Sequence, residues 1–214
     1  MNKLMLFFFL VFSTHTFSDL KEDLDQQLNP LMDKVIDWRH DIHQYPELGN
    51  REFRTAKKIE NHLVSLGIEV ETQIAYTGVV GLIRGGLPGP TIAFRADMDA
   101  LPVEEKTGVP FASKVRTTYL GNDVGVMHAC GHDAHVAILM GVAEFLATNK
   151  DKLKGNIMLI FQPAEEGPPE GEGGGAEMML AEGIFKRYEP EVIFGLHVTC
   201  LLYTSDAADE LRSV

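Results

Sequence analysis

Thiol, imidazole and carboxylate groups recur along this 214-residue chain at the ends of apolar runs, and their types suit metal ligation. The densest group is Met127-His128-Ala129-Cys130-Gly131-His132-Asp133-Ala134-His135, a thiol and three imidazoles within nine residues. Cys130 and His132 flank a glycine, so both side chains can converge on one ion. They also open a helical pattern, whose N-terminal dipole favours a thiolate. Asp97-Met98-Asp99 follows another apolar run, and in extended chain two carboxylates two apart face the same side. Acids in such a place more often form turns, and either reading is open for Asp97. Glu165 and Glu166 sit in Phe161-Gln162-Pro163-Ala164-Glu165-Glu166-Gly167; adjacent carboxylates project differently, so one can hold a metal while the other faces a water. Gly195-Leu196-His197 ends a fourth run. For His128 and His135 a ligand and a satisfied structural histidine are equally open. A cysteine hydrolase built on Cys130 with His132 or His135 as base is the competing chemistry. It leaves Glu165, Glu166 and His197 idle.

The elements that must position these groups are legible in outline. Leu20, Leu24, Leu28, Leu31, Val35, Trp38 and Ile42 recur at three- and four-residue intervals, one helical stripe, with Asn29-Pro30 as a restart. A second helix is expected over residues 51–66, with Phe53, Ala56, Ile59, Leu63 and Leu66 inward and Gly67 as its stop. Residues 68–74, 78–84 and 91–95 read as strands, with Gly85-Gly86 and Pro88-Gly89 supplying the turn before the third. A helix begins near His132, with Val136, Leu139, Met140, Ala143 and Leu146 on one face. Residues 156–161 and 192–196 read as buried strands. Helices alternating with apolar strands predict an α/β fold, a sheet sandwiched by helices. Each strand end then delivers an acid, thiol or imidazole to the carboxyl edge of the sheet.

Composition bounds the rest. At 45% hydrophobic and 23% charged residues the chain has enough apolar side chains for a substantial core. A formal net charge of -12 argues against nucleic acid as a partner, because little here displaces counterions from phosphates. Two cysteines are too few for a disulfide framework. Lys3, the apolar run Leu4 to Phe12 and the small residues Ser13 to Ser18 have the order of an export signal, removed near Ser18. That run falls well short of the roughly 20 residues that span a bilayer. A secreted or periplasmic location without a stable membrane anchor is therefore expected.

Taken together, five runs resemble the amidohydrolase branch of the M20 metallopeptidase superfamily. They are His43-Gln44-Tyr45-Pro46-Glu47, Phe94-Arg95-Ala96-Asp97-Met98-Asp99-Ala100-Leu101-Pro102, His128-Ala129-Cys130-Gly131-His132-Asp133, Gln162-Pro163-Ala164-Glu165-Glu166-Gly167 and Gly195-Leu196-His197. The branch includes hippurate hydrolases, N-acyl-amino-acid amidohydrolases and plant hydrolases of auxin conjugates. The resemblance implies a catalytic domain holding two divalent metal ions, interrupted by a smaller α+β domain for dimerisation and closure. It implies Cys130, His132, Glu166 and His197 as metal ligands, Glu165 as general base and Asp99 as a carboxylate that holds the site together. Zinc or manganese is expected, and nickel or cobalt also fits such donors. A homodimer or higher homo-oligomer acting on a small-molecule amide is implied in turn. A dipeptidase or carboxypeptidase of the same superfamily is the alternative, although dipeptidases usually carry histidine where Asp97 stands.

The chain departs from that pattern at its end. The family's fifth ligand, a histidine far toward the C-terminus, and its smaller domain have no counterpart here. Residues 200–214 read as a non-native tail. The expected organisation is a signal over residues 1–18, the N-terminal part of the catalytic domain over 19–199, and that tail. The last strand, 192–196, is then expected at an open edge, and by itself such a piece is expected to bind metal without turnover.

Overall fold

The computed structural model describes the backbone of residues 2–198 and the side chains of residues 21–198. Helix α1 (Asn2–Gln44) precedes α2 (Phe53–Ser65), strands β1 (Glu69–Ile74), β2 (Gly78–Arg84) and β3 (Leu87–Asp97), and the hairpin β4 (Arg116–Tyr119) and β5 (Asn122–Gly125). Helix α3 (His132–Thr148), strand β6 (Lys154–Gln162), helices α4 (Gly175–Ala181) and α5 (Ile184–Tyr188) and strand β7 (Pro190–Gly195) complete it. Five strands form one mixed sheet in the order β1-β2-β6-β3-β7. β1, β2 and β6 pair antiparallel, whereas β6, β3 and β7 run parallel.

Both faces of the sheet are covered, so its central strands read as unbroken apolar runs rather than alternating ones. Val79, Ile83, Ile157, Leu159 and Phe161 face Ile42 of α1, Ile59 and Leu63 of α2, and Val136 and Met140 of α3. The intervening Val80, Leu82, Met158 and Ile160 face Met179 and Ile184 of α4 and α5. Gly141 of α3 is where α1 crosses: a Cβ there would stand 2.7 Å from Val35 Cγ2.

Three expectations fail locally. Helix α1 runs through Pro30 without the restart expected at Asn29-Pro30. An interior proline costs a helix about 3 kcal/mol, but ties to α3 flank it on both sides: Asn149 Nδ2 donates to Gln27 at 3.0 Å, and Lys34 pairs with Glu144 at 2.7 Å. Phe53, expected inward, is 62% exposed, because α2 opens there and its inner stripe starts at Thr55. Pro88 and Gly89 lie inside β3, which absorbs them as a register shift between Leu87 and Thr91.

Strand β7 forms beside β3 as an edge, with Val192, Ile193 and Phe194 exposed rather than buried. The hairpin and helices α4 and α5 escaped the sequence reading. The hairpin's residues are mostly polar, and its turn at Leu120-Gly121 uses two left-handed residues, φ 49° and 78°. Helix α4 follows a glycine-rich run that reads as loop. Among the described residues no helix is long and apolar enough to cross a membrane. Residues 199–214, including Cys200 and the tail, lie outside the described residues.

Candidate metal centre

The carboxyl ends of β3, β6 and β7 and the start of α3 meet at one edge of the sheet. Gly131 enters α3 in the left-handed conformation, φ 87°, which turns Cys130 and His132 toward the same space. Cys130 Sγ, one nitrogen of His132 and one oxygen of Glu166 all lie within 4.8 Å of one another. His197 Nε2 stands 3.7 Å from Cys130 Sγ. Glu165 Oε2 is 3.6 Å from His132 Nε2, and its side chain is 35% exposed. Asp99 touches His132 from the other side, its Oδ1 3.3 Å from Nδ1. All six residues expected at the site are thus brought together.

The backbone fixes which imidazole nitrogens are free. His132 Nδ1 lies 2.8 Å from the Asp99 carbonyl oxygen, which can only accept, so Nδ1 carries a proton and, in the neutral imidazole that can bind a metal, Nε2 presents a lone pair. That nitrogen is buried without a hydrogen-bond partner and faces carboxylate oxygens of Asp97, Glu165 and Glu166 at 3.6–3.8 Å. His197 Nδ1 likewise donates to the Val198 carbonyl at 2.9 Å, leaving Nε2 for Cys130. A lone pair among carboxylates is repulsive unless a cation sits between them. A metal ion fits this donor set of thiol, imidazole and carboxylate.

The electrostatics agree. Burial pushes the Cys130 thiol up to about 11, helped by the hydrogen bond and charge of Glu166. In the metal-free protein, burial first and the neighbouring acids second thus oppose the thiolate expected at a helix start, and a bound cation would favour it. At His132 burial opposes protonation, but Asp99 and Asp97 outweigh it and raise the pKa. Asp97, despite burial, is held low by the hydrogen bond from His135 and the charges of His132 and Arg95.

His135 resolves as structural. With Asp97 and His132 it forms a second group whose donor atoms lie within 4.8 Å of one another and could hold a metal, but both its nitrogens are engaged. Val198 N–H donates to Nε2 at 2.8 Å, so Nδ1 carries the proton and donates to Asp97 Oδ1 at 2.6 Å. Arg95 Nη1 donates to the other Asp97 oxygen at 2.6 Å. Asp97 is thus a strut rather than a turn former, and His135 pins the backbone that carries His197. Its place three residues after His132, on the same face of a helix, is the signal that could have shown this. His128 has neither nitrogen bonded, and burial pushes its pKa down to about 4.

Two features went unread in the sequence. His43 Nδ1 donates to Asp133 Oδ2 at 2.9 Å and its Nε2 lies 3.2 Å from Glu105, a buried set behind α3. Asp133 raises the His43 pKa. Glu47, in the same run, caps α2 by accepting from Arg54 N–H at 2.9 Å and Thr55 N–H at 2.8 Å. Beside Asp99 and Glu166 opens a cavity of about 570 Å³, walled by Leu48, Leu101, Pro102 and Val126 and bounded by the β4–β5 hairpin.

A family model, peptidase family M20/M25/M40, matches residues 93–203, more than half of the 214. The chain belongs to this family. It is 48% identical over 182 residues to thermostable carboxypeptidase 1 of Saccharolobus solfataricus, covering 85% of this chain and 43% of that protein. To N-acetyl-L-cysteine deacetylase of Bacillus subtilis it is 44% identical, covering 83% of this chain and 39% of that one. A Bacillus subtilis crystal structure, a dinuclear metal-binding peptidase of family M20, superposes with a TM-score of 0.69 at 41% identity, covering 80% of this chain and 44% of the other. This M20 chain thus spans less than half the length of the curated relatives it matches. Its sheet with flanking helices is the fold of their catalytic domain.

Proposed function

We propose that this chain carries the metal-binding half of the active site of an exported amidohydrolase that cleaves N-acyl amino acids or similar small amides. The observation that carries this reading is the convergence of Cys130, His132 and Glu166 within 4.8 Å, with Glu165 beside them. Cys130, His132, Glu166 and His197 would hold two divalent metal ions, zinc or manganese first, nickel or cobalt also fitting. Such ions supply Lewis acidity toward a water and an amide carbonyl. Glu165, with a free oxygen and access to solvent, is the base that takes the water's proton and returns it to the departing amine, a role worth roughly 10²–10⁴-fold in rate. Asp99 works from behind: its carbonyl fixes the His132 tautomer, and its Oδ2 accepts from Glu166 N–H at 2.9 Å. A cysteine nucleophile is disfavoured, because it would leave Glu165 and Glu166 without a role and because burial raises the Cys130 thiol pKa.

A carboxypeptidase is the second reading, favoured by the 48% identity to a protein of that name. Both reactions release an amino acid from an amide. The homodimeric assembly and export are part of the proposal, the latter resting on the order of Lys3 and Leu4 to Phe12. The test is hydrolysis of hippurate, N-acetyl amino acids and short peptides by the metal-loaded full-length parent protein before and after chelation. Chelator-sensitive release from the N-acyl substrates is expected. Cleavage of peptides alone would favour the carboxypeptidase, and chelator-resistant, thiol-reagent-sensitive cleavage would overturn the metal reading.

A further inference from the structure

The turn that carries Glu165 and Glu166 is conformationally demanding. Ala164, just before them, has φ 47°, a left-handed geometry that non-glycine residues seldom adopt. It is wedged from three sides. A Cβ on Gly49 would stand 3.1 Å from Ala164 Cα, one on Gly174 3.3 Å from its Cβ, and one on Gly175 2.9 Å from its carbonyl oxygen. Packing this close leaves little room for a side chain at those glycines and little room for the turn to relax.

Two carboxylates bracket the turn by accepting its backbone N–H groups. Asp99 Oδ2 takes Glu166 N–H at 2.9 Å. On the other side Glu52 Oε1 takes Ala164 N–H at 2.8 Å, while Glu52 Oε2 accepts from the Thr77 hydroxyl at 2.5 Å. Glu52 is fully buried, at the start of α2. Burial pushes its carboxyl up to about 7, so the fold retains there an acid that desolvation works against. An apolar side chain would cap the core more cheaply but would orphan the Ala164 N–H.

We propose that Glu52 is a positioning residue, which holds Ala164 and thereby fixes where the Glu165 and Glu166 carboxylates stand relative to Cys130 and His132. It touches neither metal ligand nor substrate; it acts through the backbone, as the partner of Asp99 across the turn. The role rests on the reading of Cys130, His132 and Glu166 as a metal centre.

The test uses Co²⁺ as the probe, titrated into apo-protein and followed by the thiolate-to-cobalt absorption that Cys130 ligation produces, alongside the apo melting temperature. Glu52→Ala should bind Co²⁺ about 10–100-fold more weakly, the usual cost of losing a residue that orients ligands. Glu52→Gln keeps an acceptor for Ala164 N–H and should bind within about threefold of wild type. Thr77→Val cuts the other hydrogen bond of Glu52 and should lower the melting temperature without moving Co²⁺ affinity. A folded Glu52→Ala protein with wild-type affinity would overturn the proposal, as would a loss in Thr77→Val equal to that in Glu52→Ala. If Glu52→Ala does not fold, Glu52→Met decides, since it fills the space but cannot accept the Ala164 N–H: a loss of about tenfold supports the role and wild-type binding overturns it. Absence of Co²⁺ binding by the wild type would instead sink the metal-centre reading itself.

Discussion

His132 and Asp133 are neighbours at the start of α3, yet they serve two unlike clusters. His132 turns into the sheet edge, where its Nε2 is buried, unpartnered and aimed at carboxylates. Asp133 turns the other way, into a closed set in which His43 and Arg39 satisfy it at 2.9 and 3.1 Å. One cluster has an unmet need for a cation and the other has none. Both are rich in histidine and acid, so residue type does not tell ligand from strut. Hydrogen-bond accounting does: His132 keeps one nitrogen free, His135 none.

The largest effect should come from separating the two glutamates of the open cluster. In the metal-loaded full-length parent protein Glu165→Gln should cut turnover by roughly 10²–10⁴-fold, the share of a general base, while elemental analysis finds the metal content of wild type. Glu166→Ala should lose at least one ion. Metal lost from Glu165→Gln and kept in Glu166→Gln would mean that the roles of the pair are exchanged.

The closed cluster should answer in the opposite currency. Removing His43 leaves Asp133 with Arg39 alone, so the cost should stay below the about 3–5 kcal/mol of a buried partner left uncompensated. His43→Ala should unfold at lower denaturant yet bind Co²⁺ as wild type does once folded. A large loss of metal affinity with unchanged stability would show that the cluster behind α3 is part of the site.

How far the sequence revealed this division depends on the kind of information. Strand ends and the α3 stripe were legible because apolar periodicity is local: β2 begins and ends where Gly78 and Arg84 suggested. The residues Cys130, His132, Glu166 and His197 were legible because a motif compresses a three-dimensional site into spacing. Glu52, Asp133 and the roles of His135 and Asp97 were not, since each depends on a partner far along the chain, 112 residues away for Glu52 and Ala164. Nor was the path of α1 through Pro30, where long-range ties to α3 override a local breaker.

His135 stands within the open cluster, its ring 5.5 Å from that of His132 and 5.4 Å from that of His197. Both its nitrogens are engaged, and it pins Val198 N–H at 2.8 Å, which sets the backbone of His197. His135→Phe keeps the bulk and loses both hydrogen bonds. A decrease of about tenfold in Co²⁺ affinity is expected, smaller than deletion of a ligand, with the thiolate absorption retained. Complete loss of binding would instead make His135 a ligand.

The smallest effect is a pair of opposed pH slopes in chelated protein, and it sharpens the contrast within the closed cluster. The rings of His43 and His128 are only 6.5 Å apart. Asp133 raises the pKa of His43 above its unfolded value of 6.5, so between these values the native state binds more protons than the unfolded one. The stabilisation from His43 is complete below 6.5 and fades as pH rises through the folded value. His128 is shifted the other way, by burial, to about 4. From 6.5 down to about 4 the unfolded chain takes up a proton that native His128 refuses, and stability falls with acid, by about 2 kcal/mol at pH 5. Urea midpoints across pH 4–9 should therefore show His43→Gln losing the slope on the alkaline side of 6.5 and His128→Gln losing it on the acid side. Equal and parallel changes in both variants would mean that the two imidazoles share one proton, and that the closed cluster is a single titrating unit rather than a salt bridge beside a neutral ring.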